Sequence, residues 1–410
     1  MTRSRSRMTL ALLALVALGS LGPPPPAHAA SFTVTSTLDR PDLNPGNGVC
    51  AAQGGACTLR AAIMEANALA GADTITLPAD TFILTIAGVA EDAAATDDLD
   101  IAGSVTIQGA GAAATIIQAN IISRVFDIIH GTVTIADVTV RYGNVPSNAQ
   151  ATGSGIRNQG TLTLRNSTVS GNQSTIGGGI SNFATLSVID STVSGNQSAT
   201  RGGGIYNQGT LTLLNSTVSG NRSGSVGGGI HNVGTLALHN STVANNSVES
   251  TGDSGSTGGL STHDNAMTSL NHTLVANNLG PNDAASDCAG PLTSNGYNLI
   301  EAPVGCTITG MTTGNILNKD PRLGPLQDNG GPTHTHELRR QVGQIFPLIS
   351  PAIDAGDPQG CKDIQGTLLT TDQRGVARPQ GARCDIGAFE REVAAPSPTT
   401  THVYLPMIVK

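Results

Sequence analysis

One sentence of sequence is written almost four times between Gly155 and Asn246, and a chain that repeats itself in this way has few folds open to it. Its words are Gly-Ile-x-Asn, then Gly/Ala-Thr-Leu-x-x, then Asn or Asp followed by Ser-Thr-Val, then Gly-Asn or Ala-Asn. Isoleucines fall at Ile156, Ile180, Ile205 and Ile230, and valines at Val169, Val193, Val218 and Val243. Both series step by 24, 25 and 25 residues, the period of one solenoid coil. Each period holds three short alternating runs separated by Gly or Asn, which is strand chemistry. The inward aliphatics of one coil contribute roughly 6–12 kcal/mol, while ordering its residues costs on the order of 1.5 kcal/mol each. One coil cannot fold alone. Stacking coils at about 4.8 Å lets every strand gain ladder hydrogen bonds above and below. The expected fold is all-β, a right-handed parallel β-helix with a short N-terminal helical cap and a disulfide-stapled C-terminal module.

Asparagine is the second repeated feature, at Asn158, Asn182, Asn207 and Asn232 and at Asn172, Asn196, Asn221 and Asn245. Buried amides must be satisfied, and identical amides one coil apart satisfy one another as a ladder. Asn also tolerates the left-handed backbone of a sharp corner. A polar ligand-binding stripe is the functional alternative. The triplets Gly177–Gly179, Gly202–Gly204 and Gly227–Gly229 read as corners and close-approach positions, since no helix follows them.

The chain opens with Arg3, Arg5 and Arg7, an apolar run from Met8 to Leu21, and Ala27-His28-Ala29, the layout of a secretory signal with its cleavage site. No later stretch is apolar for long enough to span a bilayer, so an exported protein is expected. With 2% aromatic residues and no Trp, no large globular core is being filled. A net charge of −8 argues against a nucleic-acid partner; sugars, proteins and cations stay open. Six cysteines in an exported chain suggest disulfides. Pairing nearest neighbours gives Cys50 with Cys57, Cys288 with Cys306 and Cys361 with Cys384, one of several possible connectivities.

The order of segments is a signal peptide over 1–29, an N-terminal cap over 30–79, β-helix repeats over 80–280, C-terminal coils and a capping module over 281–391, and a linker with a possible attachment tail over 392–410. Within the cap, Leu59, Ile63 and Ala66 mark a short amphipathic helix in Thr58–Ala68, able to cover the open end of a solenoid. The segment Cys57-Thr58-Leu59-Arg60-Ala61-Ala62-Ile63…Glu65-Ala66-Asn67 resembles the C-S-L-R-E-A-I…A-N motif that opens many secreted bacterial β-helix proteins, with Ala61 in place of the usual Glu. The Gly-Gly-x-Ile and x-x-Asn words resemble polymorphic outer-membrane protein repeats, without their F-x-x-N word. The series Asp320-Pro321-Arg322-Leu323-Gly324-Pro325, Asp328-Asn329-Gly330-Gly331-Pro332, Ser350-Pro351-Ala352-Ile353-Asp354, Asp372-Gln373-Arg374-Gly375 and Asp385-Ile386-Gly387-Ala388-Phe389-Glu390 is similar to the C-terminal part of the choice-of-anchor β-helix family. That resemblance implies export and a variable C-terminal attachment segment, and no reaction. The tail His402–Lys410 reads as such a signal or as a final strand.

Catalytic and metal-binding patterns are sparse. The regular coils hold one acid, Asp190, where other coils have Asn166, Asn215 and Asn240, and it reads as the end of an Asn ladder. Arg157, Arg165 and Arg201 read as a solvated face. Asp92, Asp97, Asp98 and Asp100 could hold calcium, but read as a solvated acidic loop. His334-Thr335-His336-Glu337 puts two histidines on one strand face without a third ligand, and His263-Asp264 with His272 could form a local acid/base pair. No metal and no cofactor are expected. Asp372, Arg374 and Arg378 read as buried ion pairs of the C-terminal module.

The function that fits is a structural, adhesive or glycan-binding role at the cell surface or outside the cell, as a monomer, with an extracellular polysaccharide or surface protein as partner. The alternative is a carbohydrate-active enzyme, a polysaccharide lyase or hydrolase. Loops vary in length at one corner only, 145–152, 173–176, 197–201, 222–226 and 246–256. This places a binding edge at Thr175, Thr200, Ser225, Glu249 and Asp253, with Thr163 and Thr212 on the opposite flank.

Overall fold

The computed structural model describes residues 29–88, 91–120, 123–145, 152–250, 256–341 and 348–392. The secretory signal, the C-terminal tail and parts of the two longest corner loops, Asp253 included, lie outside these residues.

Every repeated word is a strand, and each pairs in parallel with its counterpart one coil away. Ile156 pairs with Ile180, Ile180 with Ile205 and Ile205 with Ile230. Leu162, Leu186, Leu211 and Leu236 are in register likewise, as are Val169, Val193, Val218 and Val243. The chain is a parallel β-helix. Its faces are a sheet of Ile-x-Asn strands, a sheet of Thr-Leu strands and a ten-stranded sheet of Thr-Val strands. The interior is one continuous aliphatic column, with every isoleucine and valine of the repeat fully buried. A fourth, four-stranded parallel sheet is formed by Gln173–Ile176, Gln197–Arg201, Arg222–Ser223 and Ser247–Val248. The sequence reads those segments as corner loops. They are strands because Ser174, Ser198 and Ser223 turn inward under the neighbouring Gly words. A Cβ on Gly178, Gly203 or Gly228 would sit 2.3 Å from a carbonyl of that sheet, so only Gly allows the approach.

Amides stack inside the coils. Asn158 Nδ2 donates to Asn182 Oδ1, Asn182 to Asn207 and Asn207 to Asn232, each at 2.7 Å. The other ladder runs from Asn172 through Asn196 and Asn221 to Asn246, Asn278 and Asp287 at 2.8–3.0 Å. Asn246, not Asn245, is the rung. Asn245 has φ 58° and replaces the left-handed Gly171, Gly195 and Gly220 of earlier coils. The other left-handed column is Asn166, Asp190, Asn215 and Asn240, with φ of 46–49°. Asp190 is thus a corner residue of that column.

The helix Leu59–Ala68 is N-capped by Thr58, whose Oγ1 accepts from the Ala61 amide. Arg60 and Asn67 bind it to the first coils, and Glu65 to the loop that precedes it. Arg60 is fully buried, pairs with Asp39 at 2.5 Å and donates to the carbonyls of Ala94, Thr96, Asp97 and Asp98. Glu65 accepts from the amides of Gly46 and Gly48. Asn67 bonds Asp100 O and Ala102 N.

The C-terminal module packs against the flank of the solenoid, where the sequence suggests an end cap. Thr192 Oγ1 donates to His334 O, Thr217 Oγ1 to Gln373 Oε1, and Thr242 Oγ1 accepts from the Ala388 amide. Inside it, Arg374 pairs with Asp372 at 2.8 Å and lies 3.7 Å from the Phe389 ring centroid. Arg378 is buried beside Glu390. The disulfides are Cys50–Cys57, Cys288–Cys306 and Cys361–Cys384.

Deleting Ile205–Gly229 rejoins Gly204 to Ile230 with every ladder in register, and that variant should retain the wild-type far-UV circular dichroism. Deleting half that length puts aliphatics outside and breaks both ladders. Equal protease resistance of the two deletions would refute the coil assignment. Arg60→Ala strands Asp39 in the interior and should lower stability by about 3–5 kcal/mol, read from urea unfolding.

Candidate functional site

The x of Gly-Ile-x-Asn is the one position of that word whose chemistry changes at each turn. Register places these residues on a single line that faces away from the aliphatic column: Asp100, Asp127, Arg157, Ser181, Tyr206, His231 and Ser261, of which Arg157 and Tyr206 are half-buried and the other five buried. Each stands about 4.8 Å from the next.

At one end three carboxylates converge. Asp98, Asp100 and Asp127 are buried, and each brings an oxygen within 4.8 Å of the others. Arg124 bridges Asp98 at 2.8 Å and Asp127 at 3.0 Å. Arg157 Nε donates to Asp127 Oδ1 at 2.8 Å, and a second Arg157 nitrogen meets Asp127 Oδ2. Burial would lower the Arg157 pKa, but its bond to Asp127 outweighs this and raises it. Burial pushes Asp98 up to about 6 against the pull of Arg124. Burial, together with the nearby Asp98 charge, pushes Asp100 up to about 8. Two guanidinium groups and one proton balance three carboxylates, whereas a divalent cation beside both arginines would leave excess positive charge in a dry site. The group therefore fits one bound proton, on Asp100, better than a metal. Asp98 and Asp100 are not the solvated loop that the sequence suggests. The segment Ala93–Asp97, held down by Arg60, covers them, and Asp100 is only 1% exposed.

Further along, rings line the floor. Phe183 and Tyr206 lie 6.2 Å apart, and Tyr206 stacks on His231 at 5.8 Å. One concavity, bounded by Thr152, Arg157, Gln159 and Phe183, encloses 580 Å³. A second, with His231, Ser261, His263, Asp264 and Ser286 in its wall, encloses 530 Å³. His231 Nδ1 lies 3.2 Å from Ser261 Oγ. Burial, with Arg201 and His263 nearby, lowers His231 to about 4 and keeps it neutral. This end offers hydrogen bonds and stacking rather than charge.

The residues singled out from loop length form the shoulder of this line. Thr200 Oγ1 donates to Thr175 O at 2.8 Å, and the Ser225 amide donates to Thr200 O at 2.9 Å. All three are half-buried, and the Thr175 hydroxyl is buried without a partner. Glu249 pairs with Arg222 in solvent. The histidines of 334–337 separate: His334 is exposed, while His336 is buried between Ser219 Oγ and Gly324 O, both at 2.8 Å. His263 and Asp264 border the second concavity. His272 lies elsewhere, accepting from the Asp357 amide at 3.0 Å and stacked on Tyr297. Arg165 faces Asp190 across 3.9 Å. Sequence reading missed the Tyr206 line; its signal was one changing letter inside a constant word.

No protein-family model matches the chain, and no curated protein matches it. Among solved structures, a pectin methylesterase from carrot resembles it with a TM-score of 0.33 and 12% identity, over 73% of this chain and 81% of that one. Likeness at that level says nothing about site or substrate. Among the described residues, no helix is long and apolar enough to cross a membrane.

The folded chain holds a proton on Asp100 that the unfolded chain releases near pH 4. Stability should therefore fall as pH rises from about 4 to about 8 and level off above. Asp100→Asn removes this cost. It should gain on the order of 2 kcal/mol over wild type at pH 8 and nothing at pH 4. Urea unfolding at both pH values checks this; an equal gain at both would refute the proton on Asp100.

Proposed function

We propose that the Ile-x-Asn face binds an extracellular polysaccharide and that the protein works outside the cell as a glycan-binding or adhesive solenoid. The observation that carries this reading is the in-register line Arg157, Ser181, Tyr206, His231 and Ser261, which joins two concavities through a run of rings. The half-buried rings of Phe183 and Tyr206 offer apolar faces to sugar rings, and the exposed Gln159, His263 and Asp264 in the concavity walls supply hydrogen bonds. A line of sites at strand spacing suits an extended chain ligand. Thr175, Thr200, Ser225 and Glu249 would border that chain along its shoulder. Three disulfides agree with an oxidising compartment, and the opening segment supplies an export signal.

The second reading is a carbohydrate-active enzyme. It draws on Asp98 and Asp100, two protonatable acids beside Asp127, the pairing that general acid/base work uses. Burial beneath Ala93–Asp97 favours binding, because a sugar cannot reach Asp100 in this arrangement.

A glycan screen followed by calorimetry tests the proposal. Tyr206→Ala should weaken binding by about 5–30-fold, the equivalent of about 1–2 kcal/mol for one stacking ring, with an unchanged melting curve. Thr175→Lys and Thr200→Lys should weaken it less. Release of sugar products would favour the enzyme, and full affinity in Tyr206→Ala would remove the binding line from this face.

A further inference from the structure

The two ends of the solenoid differ. At the N-terminal end the helix Leu59–Ala68 lies against the aliphatic column, with Leu59, Ile63 and Ala66 buried in it. At the other end the C-terminal module has gone to the flank, and among the described residues no strand or helix takes its place. The last coil consists of the strands Cys306–Met311 and Ile316–Leu317. Each pairs on one side only, with Cys288–Asn295 and Leu299–Ile300 respectively. Ile308 and Leu317 follow the buried Leu292 and Ile300 as the last members of two inward columns. The column therefore ends on apolar side chains that meet water: Ile308 is half-buried, and Leu317, Met311 and Val304 are exposed.

The backbone of this end has a definite pattern. The Gly290 amide donates to Gly305 O. Alternation along the strand then turns Thr307, Thr309 and Met311 toward the preceding coil, and leaves Ile308 and Gly310 with N–H and C=O directed to the open side. On Ile308 the inward side chain and the free backbone coincide. A strand added antiparallel here must hydrogen-bond through the residues whose side chains face inward, because directly paired residues in that arrangement share a face. An unpaired edge with an apolar face is one that folded chains cover.

We infer that residues 402–410 of this chain close the open end, docking as an antiparallel strand against Cys306–Met311. Their reach allows it. Glu392, the last described residue, pairs with Arg374, whose neighbour Gln373 is bonded to Thr217. Register runs from Thr217 through Thr242, Leu274 and Leu299 to Ile316, about 19 Å at strand spacing. Residues 393–401 span up to about 30 Å. Their pattern also fits. Val403, Leu405, Met407 and Val409 form one apolar alternate set, which supplies both the inward side chains and the hydrogen bonds. Pro406 belongs to the other set, whose N–H groups point away from Cys306–Met311, so its missing donor costs nothing and blunts the new edge. A second copy of the protein must arrive by diffusion, whereas a tethered segment is held at high effective concentration. This assignment does not depend on the glycan reading, and either can fail alone.

Hydrogen exchange of the full chain, read by mass spectrometry on peptides covering Cys306–Met311, tests the closure. Leu405→Asp with Met407→Asp should speed exchange of the Ile308 and Gly310 amides by about tenfold or more. Exchange in the strand Thr210–Leu214 should stay as in the wild type, which shows that the solenoid remains folded. Tyr404→Asp with Ile408→Asp alters the set that faces away and should leave the Ile308 and Gly310 rates unchanged. Equal rates in the wild type and in Leu405→Asp with Met407→Asp would overturn the inference. So would protection that rises with protein concentration together with a dimer mass in light scattering, since a second copy would then cover the end. An intact mass of the exported, folded protein that lacks residues 402–410 would overturn it as well.

Discussion

Everything in this chain depends on keeping one coil in register with the next, and stacked side-chain amides inside the coils hold that register. Aliphatic packing tolerates a shift, since a leucine is as well buried against one neighbour as another. An amide ladder does not. Asn182 must find Asn158 on one side and Asn207 on the other, and a slip leaves buried donors unpaired at about 1–3 kcal/mol each. The second ladder is stricter, because each Oδ1 also accepts the backbone amide of the rung before it, as Asn196 Oδ1 does from Asn172. Its terminal rung is Asp287, whose carboxylate accepts from Asn278 and from the Ala302 amide and so closes the column.

Since interior and corners are fixed in this way, outward positions can change without disturbing the fold. The three faces have used that freedom differently. The Thr-Val face is spent on docking the C-terminal module. The Ile-x-Asn face changes residue from coil to coil and has gathered charge, rings and concavities. The Thr-Leu face is mostly Thr and Ser, interrupted at Ala237 and Met267 and edged by Arg165.

The coil, its inward residues, the first amide ladder and the ion pairs of Arg374 and Arg378 were legible in the sequence, because each rests on a local word or a constant period. Three features were not, each for a physical reason. The fourth sheet lacks apolar alternation; three of its four inward residues are serines, whose polarity reads as loop, and Ser174 Oγ donates to Ile176 O two residues on. The rung at Asn246 was read one place early because both residues of the pair are Asn, and only the left-handed backbone of Asn245 separates them. The flank docking of the C-terminal module depends on contacts such as Ser219 to His336, 117 residues apart, which no local pattern encodes. The Tyr206 line was visible in principle. The constant letters of the word set the fold, while the residues that line the two concavities include the letter that varies.

The same logic accounts for the buried acids at the head of that line. The first coils lack the Asn rung, and their outward aspartates are drawn together by stacking at strand spacing. Like charges that close cannot all ionise. Two arginines and a covering segment tied down by Arg60 turn this repulsion into a sealed, nearly neutral plug. The plug ends the line on the N-terminal side, so a chain ligand of the kind proposed would extend from Tyr206 toward His231 and Ser261. Specificity would then be written one residue per coil, by exchanging x without touching the ladders beneath.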